Sequence, residues 1–400
     1  MARITSMVRI AALAGAAILV APAATAEAAP AGGTILAAPG AEAVPGSYVV
    51  VLKDGGAAVP AQAKALAGKH RATVRKTFSH ALRGFSATMS EAQAKALAGD
   101  PAVKFVQPNV IHRVSATQTN PPSYGLDRID QRNRPVNSAY TYNTTASNVH
   151  AYIIDTGIRT THNDFNGRAT SGFDAIDGGA ADDCHGHGTH VAGTVGGTAY
   201  GVAKGVQLVA VRVLDCEGSG TTEQVVAGID WVTANAVKPA VANMSLGGGA
   251  DTVLDNAVRR SITEGGVSYA IAAGNGFLGL FALDACTQSP ARVAEALTVS
   301  ATDSSDRKAS WANRGTCVDV FAPGINIPST WNTSNTATNT ISGTSMATPH
   351  VAGAAALFLA NNTSATPAQV HAAIVNNATT GVVVSPGSGS PNRLLYTANF

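Results

Sequence analysis

The sequence predicts an α/β protein with a mainly parallel sheet, preceded by a small α+β unit. Three observations carry this. From Val149 onward, apolar runs of strand length alternate with longer stretches of helical spacing, as in strand–helix–strand crossovers of a parallel sheet. A carboxylate, Asp155, ends one such strand, and His187 and Ser345 open such helices, which is where open parallel sheets carry their sites. Ahead of this, Ser47 to Val114 has its own strand–helix–strand–helix–strand pattern, enough for a separate small unit.

In the N-terminal unit, 48–52, 85–89 and 103–106 read as strands and 61–69 as a helix, with a second helix opening at the capping Ser90. In the larger part the strands are 150–154, 207–213, 241–246, 267–272, 297–300 and 318–321. The helices are 189–197, 222–235, 252–264, 345–361 and 367–377, and no internal repeat is present.

Composition narrows the class. The 400 residues are 45% hydrophobic and 13% charged, with 41 glycines, which describes a compact, loop-dense globular chain. Arg3 and Arg9, the apolar run 10–20 and Ala24-Thr25-Ala26 read as a secretory signal, residues 1–26, cut after Ala26. That run is short for a membrane span, and no later stretch is long and apolar enough. The product is expected to be secreted and extracellular, with no membrane partner. Residues 27–46, rich in Ala, Pro and Gly, read as a flexible leader, and 116–122 as an exposed linker. Residues 27–115 carry 10 Lys or Arg against 5 Asp or Glu, a net of +5, whereas 116–400 carry 15 against 20, a net of −5. Opposite signs favour association of the two parts. The basic residues form no stripe with interleaved aromatics, which argues against nucleic acid. Four cysteines in an exported chain suggest two disulfides, with three connectivities open. No Cys-x-x-Cys spacing suggests a metal site.

Three segments carry chemistry. Tyr152-Ile153-Ile154-Asp155-Thr156-Gly157 is an apolar strand ending in a carboxylate. His187-Gly188-Thr189-His190-Val191-Ala192-Gly193-Thr194 puts a histidine at the head of a helix of small residues. Gly343-Thr344-Ser345-Met346-Ala347-Thr348-Pro349-His350 puts a serine where helix-start N–H groups favour negative charge. Serine attack needs an imidazole to take the proton and a buried carboxylate to orient that imidazole.

Together these segments resemble the signatures of subtilisin-like serine peptidases, whose triad runs Asp, His, Ser along the chain. They are most similar to the proteinase K-like branch, aqualysin-type enzymes in particular. The resemblance implies a three-layer fold over 116–400, with 47–115 as an inhibitory prodomain cut after Ser115. It implies Ser345 as nucleophile, His187 as base and Asp155 as orienting carboxylate. His185, His190 and His350 are the rivals for the base, and the family's motif order selects His187. Asn275, in Ala272-Ala273-Gly274-Asn275-Gly276, matches the family's oxyanion-hole asparagine. Gly218, Ser219 and Gly220, with Ser245, Leu246 and Gly247, match the segments that sandwich the substrate strand. Ala272, Ala273 and Gly274 would line a roomy pocket for an aromatic or aliphatic residue before the scissile bond.

The same resemblance implies pairing of Cys184 with Cys216 and of Cys286 with Cys317. It implies structural calcium, with no cofactor needed for the chemistry: Asp127, Asp130 and Gln131 match one calcium segment, with Asn137 where the family often has Ser. A second site would use Asp319 with the carbonyls of Ala294 and Ala296. One segment departs from the family: 276–285 holds five large apolar residues where relatives are shorter and polar. The expected protein is a monomeric secreted endopeptidase acting on polypeptides, made as a self-processed zymogen with its prodomain as intramolecular inhibitor. The alternative is a catalytically inactive scaffold that binds peptides.

Overall fold

The computed structural model describes residues 34–36, 43–110, 116–277 and 279–400. The predicted signal and the predicted processing site at Ser115 lie outside the described residues. The chain divides into two compact units, Met1–Ile111 and His112–Phe400.

The first unit runs β1 (Ala43–Leu52), α1 (Val59–His70), β2 (Thr73–Phe78), β3 (Gly84–Thr88), α2 (Glu91–Ala98) and β4 (Val103–Val110). Its antiparallel sheet has the order β2-β3-β1-β4. Val50, Leu52, Ala63, Phe85, Leu97 and Val106 close the core. A capping box starts α2: Gln93 N–H donates to Ser90 Oγ and Ser90 N–H to Gln93 Oε1. Two features differ from expectation. The strand β2 gave no apolar signal because its residues are mostly exposed on a sheet edge. Part of the predicted flexible leader is paired: β1 begins at Ala43, and Leu36 N–H donates to Val106 O at 2.8 Å.

The second unit opens with β5 (Ala116–Thr119), α3 (Tyr124–Ile129) and β6 (Ala139–Tyr142). It continues with β7 (His150–Asp155), β8 (Ala169–Asp174), α4 (His187–Gly196), β9 (Gln207–Arg212), α5 (Thr222–Asn235) and β10 (Ala240–Met244). Then come β11 (Gly248–Gly249), α6 (Thr252–Thr263), β12 (Ser268–Ala272), β13 (Gln288–Ser289), β14 (Leu297–Thr302) and β15 (Val320–Pro323). The chain closes with β16 (Ile327–Thr330), β17 (Thr338–Ile341), α7 (Thr344–Asn361), α8 (Pro367–Asn377), β18 (Thr379–Thr380) and β19 (Arg393–Leu394). The main sheet has the order β18-β19-β15-β14-β12-β10-β7-β9-β8. All its pairings are parallel except β18 with β19.

Successive β7 residues feed opposite faces, as strand geometry requires. Ala151 and Ile153 join the core that takes in α4, α7 and α8, and Tyr152 and Ile154 join the core under α5 and α6. The result is three layers. Helix α7 is apolar nearly all round and buried along most of its length. Chain order reverses around β7, with β9 on one side and β10 on the other, so Asp155 ends at the switch point. The predicted strand 241–246 stops at Met244, leaving Ser245 and Leu246 free to edge the cleft.

Lys204 is a buried cation packed against β6. Lys204 Nζ donates to the carbonyls of Thr198, Ala199 and Gly201 at 3.1, 3.5 and 3.0 Å. It also lies 5.4 Å from the Tyr140 ring centre and 5.8 Å from that of Tyr142, within cation–π range. Burial pulls its pKa down to about 8 against the opposing charge of Asp164.

Candidate active site

The end of β7 and the start of α4 meet through two glycines. A Cβ on Gly188 would lie 2.2 Å from Gly157 O, and Gly157 itself has φ +105°, so side chains there would force the two segments apart. At this junction His187 Nδ1–H donates to Asp155 Oδ1 at 2.7 Å. Asp155 is fully buried; its Oδ1 also accepts Thr156 N–H at 2.8 Å, and its Oδ2 has no partner. Burial opposes a charge on His187, but the charge and hydrogen bond of Asp155 outweigh it and raise the imidazole above its ordinary value. Helix α4 has no side-chain cap of its own at Gly186. Asp183 serves instead, accepting from Thr189 N–H and Oγ1 at 2.9 and 2.6 Å, and from Gly186 N–H at 2.8 Å.

The rival histidines part company here. His190 is fully buried with Nε2 at 3.0 Å from Ile327 O, and burial holds its pKa down to about 3. His350 is likewise buried, with Nδ1 2.9 Å from Met346 O, and is held down to about 4 by burial. His185 is exposed, packs edge-on to His187 at 6.3 Å and lines the same cleft.

Ser345 sits in the first turn of α7. Pro349 lies inside that helix and has no N–H, so the carbonyl of Ser345, four residues earlier, lacks its helical donor. Ser245 Oγ–H supplies the bond at 2.8 Å, and Ser345 Oγ–H donates back to Ser245 O at 3.1 Å. Buried Asn243 donates from Nδ2 to Ser245 Oγ at 2.9 Å. The serine is thus registered from the sheet as well as from its own helix.

Asn275 follows β12. Its Oδ1 accepts both N–H and Oγ1–H of Thr344 at 2.9 Å. That fixes which end of the amide is the oxygen and leaves Nδ2 as a donor beside Ser345. Thr344, Asp183 and Asn243 were not foreseen. Each is an ordinary polar residue, and only its proximity to a recognised motif residue could have drawn attention to it.

Two adjoining cavities form the cleft. One, of about 560 Å³, is bordered by His187, Gly218, Ser219, Gly220 and the segment 245–249. The other, of about 280 Å³, is bordered by Ala272, Ala273, Gly274, Asn275 and Ser345, and shares Ser245, Leu246 and Gly247 with the first. Among the described residues no charged one lines the smaller cavity. The cysteines pair 184–216 and 286–317, with Cα separations of 5.0 and 5.3 Å. The first bridge thereby ties the loop before His187 to the segment before Gly218.

The Asp127 loop gathers several oxygens at one point. Gln131 Nε2 lies 2.8 Å from Asp127 O, 2.8 Å from Asp127 Oδ1 and 2.9 Å from Asn137 Oδ1. An amide nitrogen has two hydrogens for these three oxygens; turning the amide would present Oε1 to the same point. Asp130 Oδ1 is buried without a partner, while its Oδ2 accepts Thr141 N–H at 2.7 Å. Burial, with the charge of Asp127, pushes the Asp130 carboxyl up to about 6 against that hydrogen bond. Excess oxygen and a destabilised carboxylate suit a hard cation. Asp319 fits less well: Oδ2 accepts Thr298 N–H at 2.8 Å and Oδ1 faces His371 at 3.4 Å. Among the described residues no three His, Cys, Asp or Glu side chains gather at one point, so any cation would rest largely on carbonyl and amide oxygens.

A cleft of this length with glycine-rich edges suits an extended strand, and with a carboxylate-held imidazole beside it the class is that of serine peptidases. Comparison with known proteins takes this further. Residues 147–394 match the subtilase family, and 47–115 match peptidase inhibitor I9. The chain belongs to the subtilase family and is a subtilisin-like serine endopeptidase preceded by an inhibitor-type unit. It is 52% identical over 397 residues to an extracellular serine proteinase of Thermus sp. (strain Rt41A), covering 94% of each chain. It is 51% identical to alkaline serine exoprotease A of Vibrio alginolyticus, covering 83% of this chain and 62% of that one. The crystal structure of a cold adapted subtilisin-like serine proteinase superposes with TM-score 0.66 at 52% identity, over 68% of this chain and 97% of that one. Among the described residues no helix is long and apolar enough to cross a membrane.

Proposed function

We propose that the protein is a secreted endopeptidase that cuts polypeptides after aromatic or aliphatic residues, using Asp155, His187, Ser345 and Asn275. The observation that carries this is the 2.7 Å bond from His187 Nδ1 to buried Asp155, on the cleft that Ser345 borders. In acylation, Ser345 Oγ attacks the scissile carbonyl carbon while His187 Nε2 takes its proton. Asn275 Nδ2 and Ser345 N–H hold the oxyanion. His187 then passes the proton to the leaving nitrogen, the C–N bond breaks, and water repeats the sequence on the acyl group. The uncharged pocket walled by Ala272, Ala273 and Gly274 supports the apolar preference. The substrate strand lies between 218–220 and 245–247.

The division into signal 1–26, leader 27–46, prodomain 47–115 and catalytic domain 116–400 is part of this reading, with the prodomain as intramolecular inhibitor and the mature enzyme a monomer. Subtilisin-like proteases commonly bind structural calcium; here Asp127, Asp130, Gln131 and Asn137 would hold it, stiffening the segment between α3 and β6. Wild type and Ser345→Ala, expressed with calcium, test the whole. The wild type should begin near Ala116 and cleave an apolar-P1 peptide, while the variant stays joined and inert. If both stay joined and inert, the enzyme reading fails.

A further inference from the structure

We propose that the apolar cluster of Phe277, Leu280, Phe281 and Leu283, held by the Phe277–Phe281 bridge, is a second polypeptide-binding element that grips apolar segments of unfolded protein substrates outside the cleft; this rests on the peptidase reading above. Four of the eight large exposed apolar side chains among the described residues lie here: Phe277 at 60%, Leu280 at 64%, Phe281 at 69% and Leu283 at 36%. The other four are single valines elsewhere. Scattered apolar residues are ordinary on a surface, whereas a cluster marks a contact site.

The cluster is held in place rather than loose. Phe277 N–H donates to Phe281 O at 2.9 Å, and Leu280 N–H to Phe277 O at 2.9 Å. Gly276, at φ +69°, has Phe281 O pressed so close that a Cβ would lie 2.1 Å from it. The base is strapped to the pocket wall by Asn313, which is buried. Its Oδ1 accepts Leu283 N–H at 2.8 Å, its Nδ2 donates to Ala273 O at 2.7 Å, and its N–H donates to Gly274 O at 2.9 Å. One residue therefore fixes both the cluster and the wall of the smaller cavity.

Continuity with the cleft identifies the occupant. Gly276 borders the smaller cavity, but Phe277 and Phe281 do not. The cluster thus leaves that cavity unchanged and extends apolar surface from its rim, where only a chain longer than the cleft can reach. A folded protein hides its apolar residues, and an unfolded one offers them, so the substrate class favoured is unfolded polypeptide rich in apolar residues.

Phe277→Ser/Phe281→Ser tests this against three substrates: a short anilide with Phe before the scissile bond, a reduced and alkylated apolar-rich protein, and a polar unfolded polypeptide. KM for the apolar-rich protein should rise about tenfold, with kcat unchanged and the other two substrates within about twofold. Equal change on all three, or no change on any, overturns the proposal. A wild type inert toward the anilide sinks the peptidase reading instead; the cluster is then judged by anisotropy of the labelled apolar protein on Ser345→Ala. There the two serines should weaken Kd about tenfold, and unchanged Kd overturns the proposal. A wild-type dimer that the two serines dissociate, with KM unchanged, assigns the patch to a second copy and overturns it too.

Discussion

His187 and His190 stand three residues apart in one motif on one helix, yet their surroundings drive them in opposite directions. His187 faces the Asp155 carboxylate at 2.7 Å and is raised despite burial. His190, one turn deeper, meets the Ile327 carbonyl at 3.0 Å and is held down to about 3 by burial. His187 keeps about a fifth of its side chain open to the cleft and His190 is fully buried, yet desolvation opposes the charge on both. A full negative charge favours the imidazolium, whereas a neutral carbonyl dipole cannot offset burial. The partner, more than the motif, makes an imidazole a base.

The sharpest way to break this contrast is Asp155→Asn, which turns the partner of His187 into a neutral one. The kcat should fall about 10⁴-fold, the magnitude seen for this change in other serine-protease triads. On the proposed mechanism His187 must be neutral to act as base, and its pKa is raised above 6.5. Activity should therefore be lost as pH falls through that raised value, and a kcat/KM profile of the variant should show the acid limb moved lower. A limb that stays put would detach it from His187.

The buried pair is broken by acid. In the unfolded chain both imidazoles titrate near 6.5, while the fold holds His190 to about 3 and His350 to about 4. Below about pH 6.5 the unfolded state therefore binds protons that the native state refuses. Stability should fall by about 2.7 kcal/mol per pH unit for the pair, down to about pH 4. Urea melts of Ser345→Ala at several pH values measure this, and adding His190→Gln with His350→Gln should flatten the slope. Alone, His190→Gln should leave kcat within about threefold, because its ring touches no reacting atom.

The contrast of partners extends to the Asp127 loop, where the proposed partner is a calcium ion. Chelation should cost about 2–3 kcal/mol if calcium otherwise stands near 100 times its Kd. Asp127→Ala should abolish the response to chelator in a thermal melt. A chelator that leaves Tm unchanged removes calcium from the account.

Much of this was legible in the sequence for a physical reason. Buried parallel strands such as β7 and β12 are continuous apolar runs, and α7 is a long apolar helix, so each declares itself locally. The strand β2 and the edge strand β8 did not, because their outward residues are polar or small. His187 was separable from His185, His190 and His350 only by resemblance, since spacing says nothing of which ring meets a carboxylate. Thr344, Asn243 and Asn313 were invisible for a related reason: each acts through a partner that is distant in sequence. Pro349 was visible, but its effect on the Ser345 carbonyl required knowing that Ser245 lies opposite.

Lys204 has a consequence for the working life of the enzyme. Its ammonium gathers the carbonyls of Thr198, Ala199 and Gly201, as the proposed calcium would gather the oxygens around Asp127, but it is tethered by its own side chain. A tethered ion has no dissociation constant and no chelator. When calcium runs short, loosening should begin at 127–139 and spare 198–204, so the first self-inflicted cut should fall near the start of the catalytic unit. If the proposed calcium orders 127–139, its depletion becomes a clock for autolysis, and the loop held by Lys204 is not wired to it.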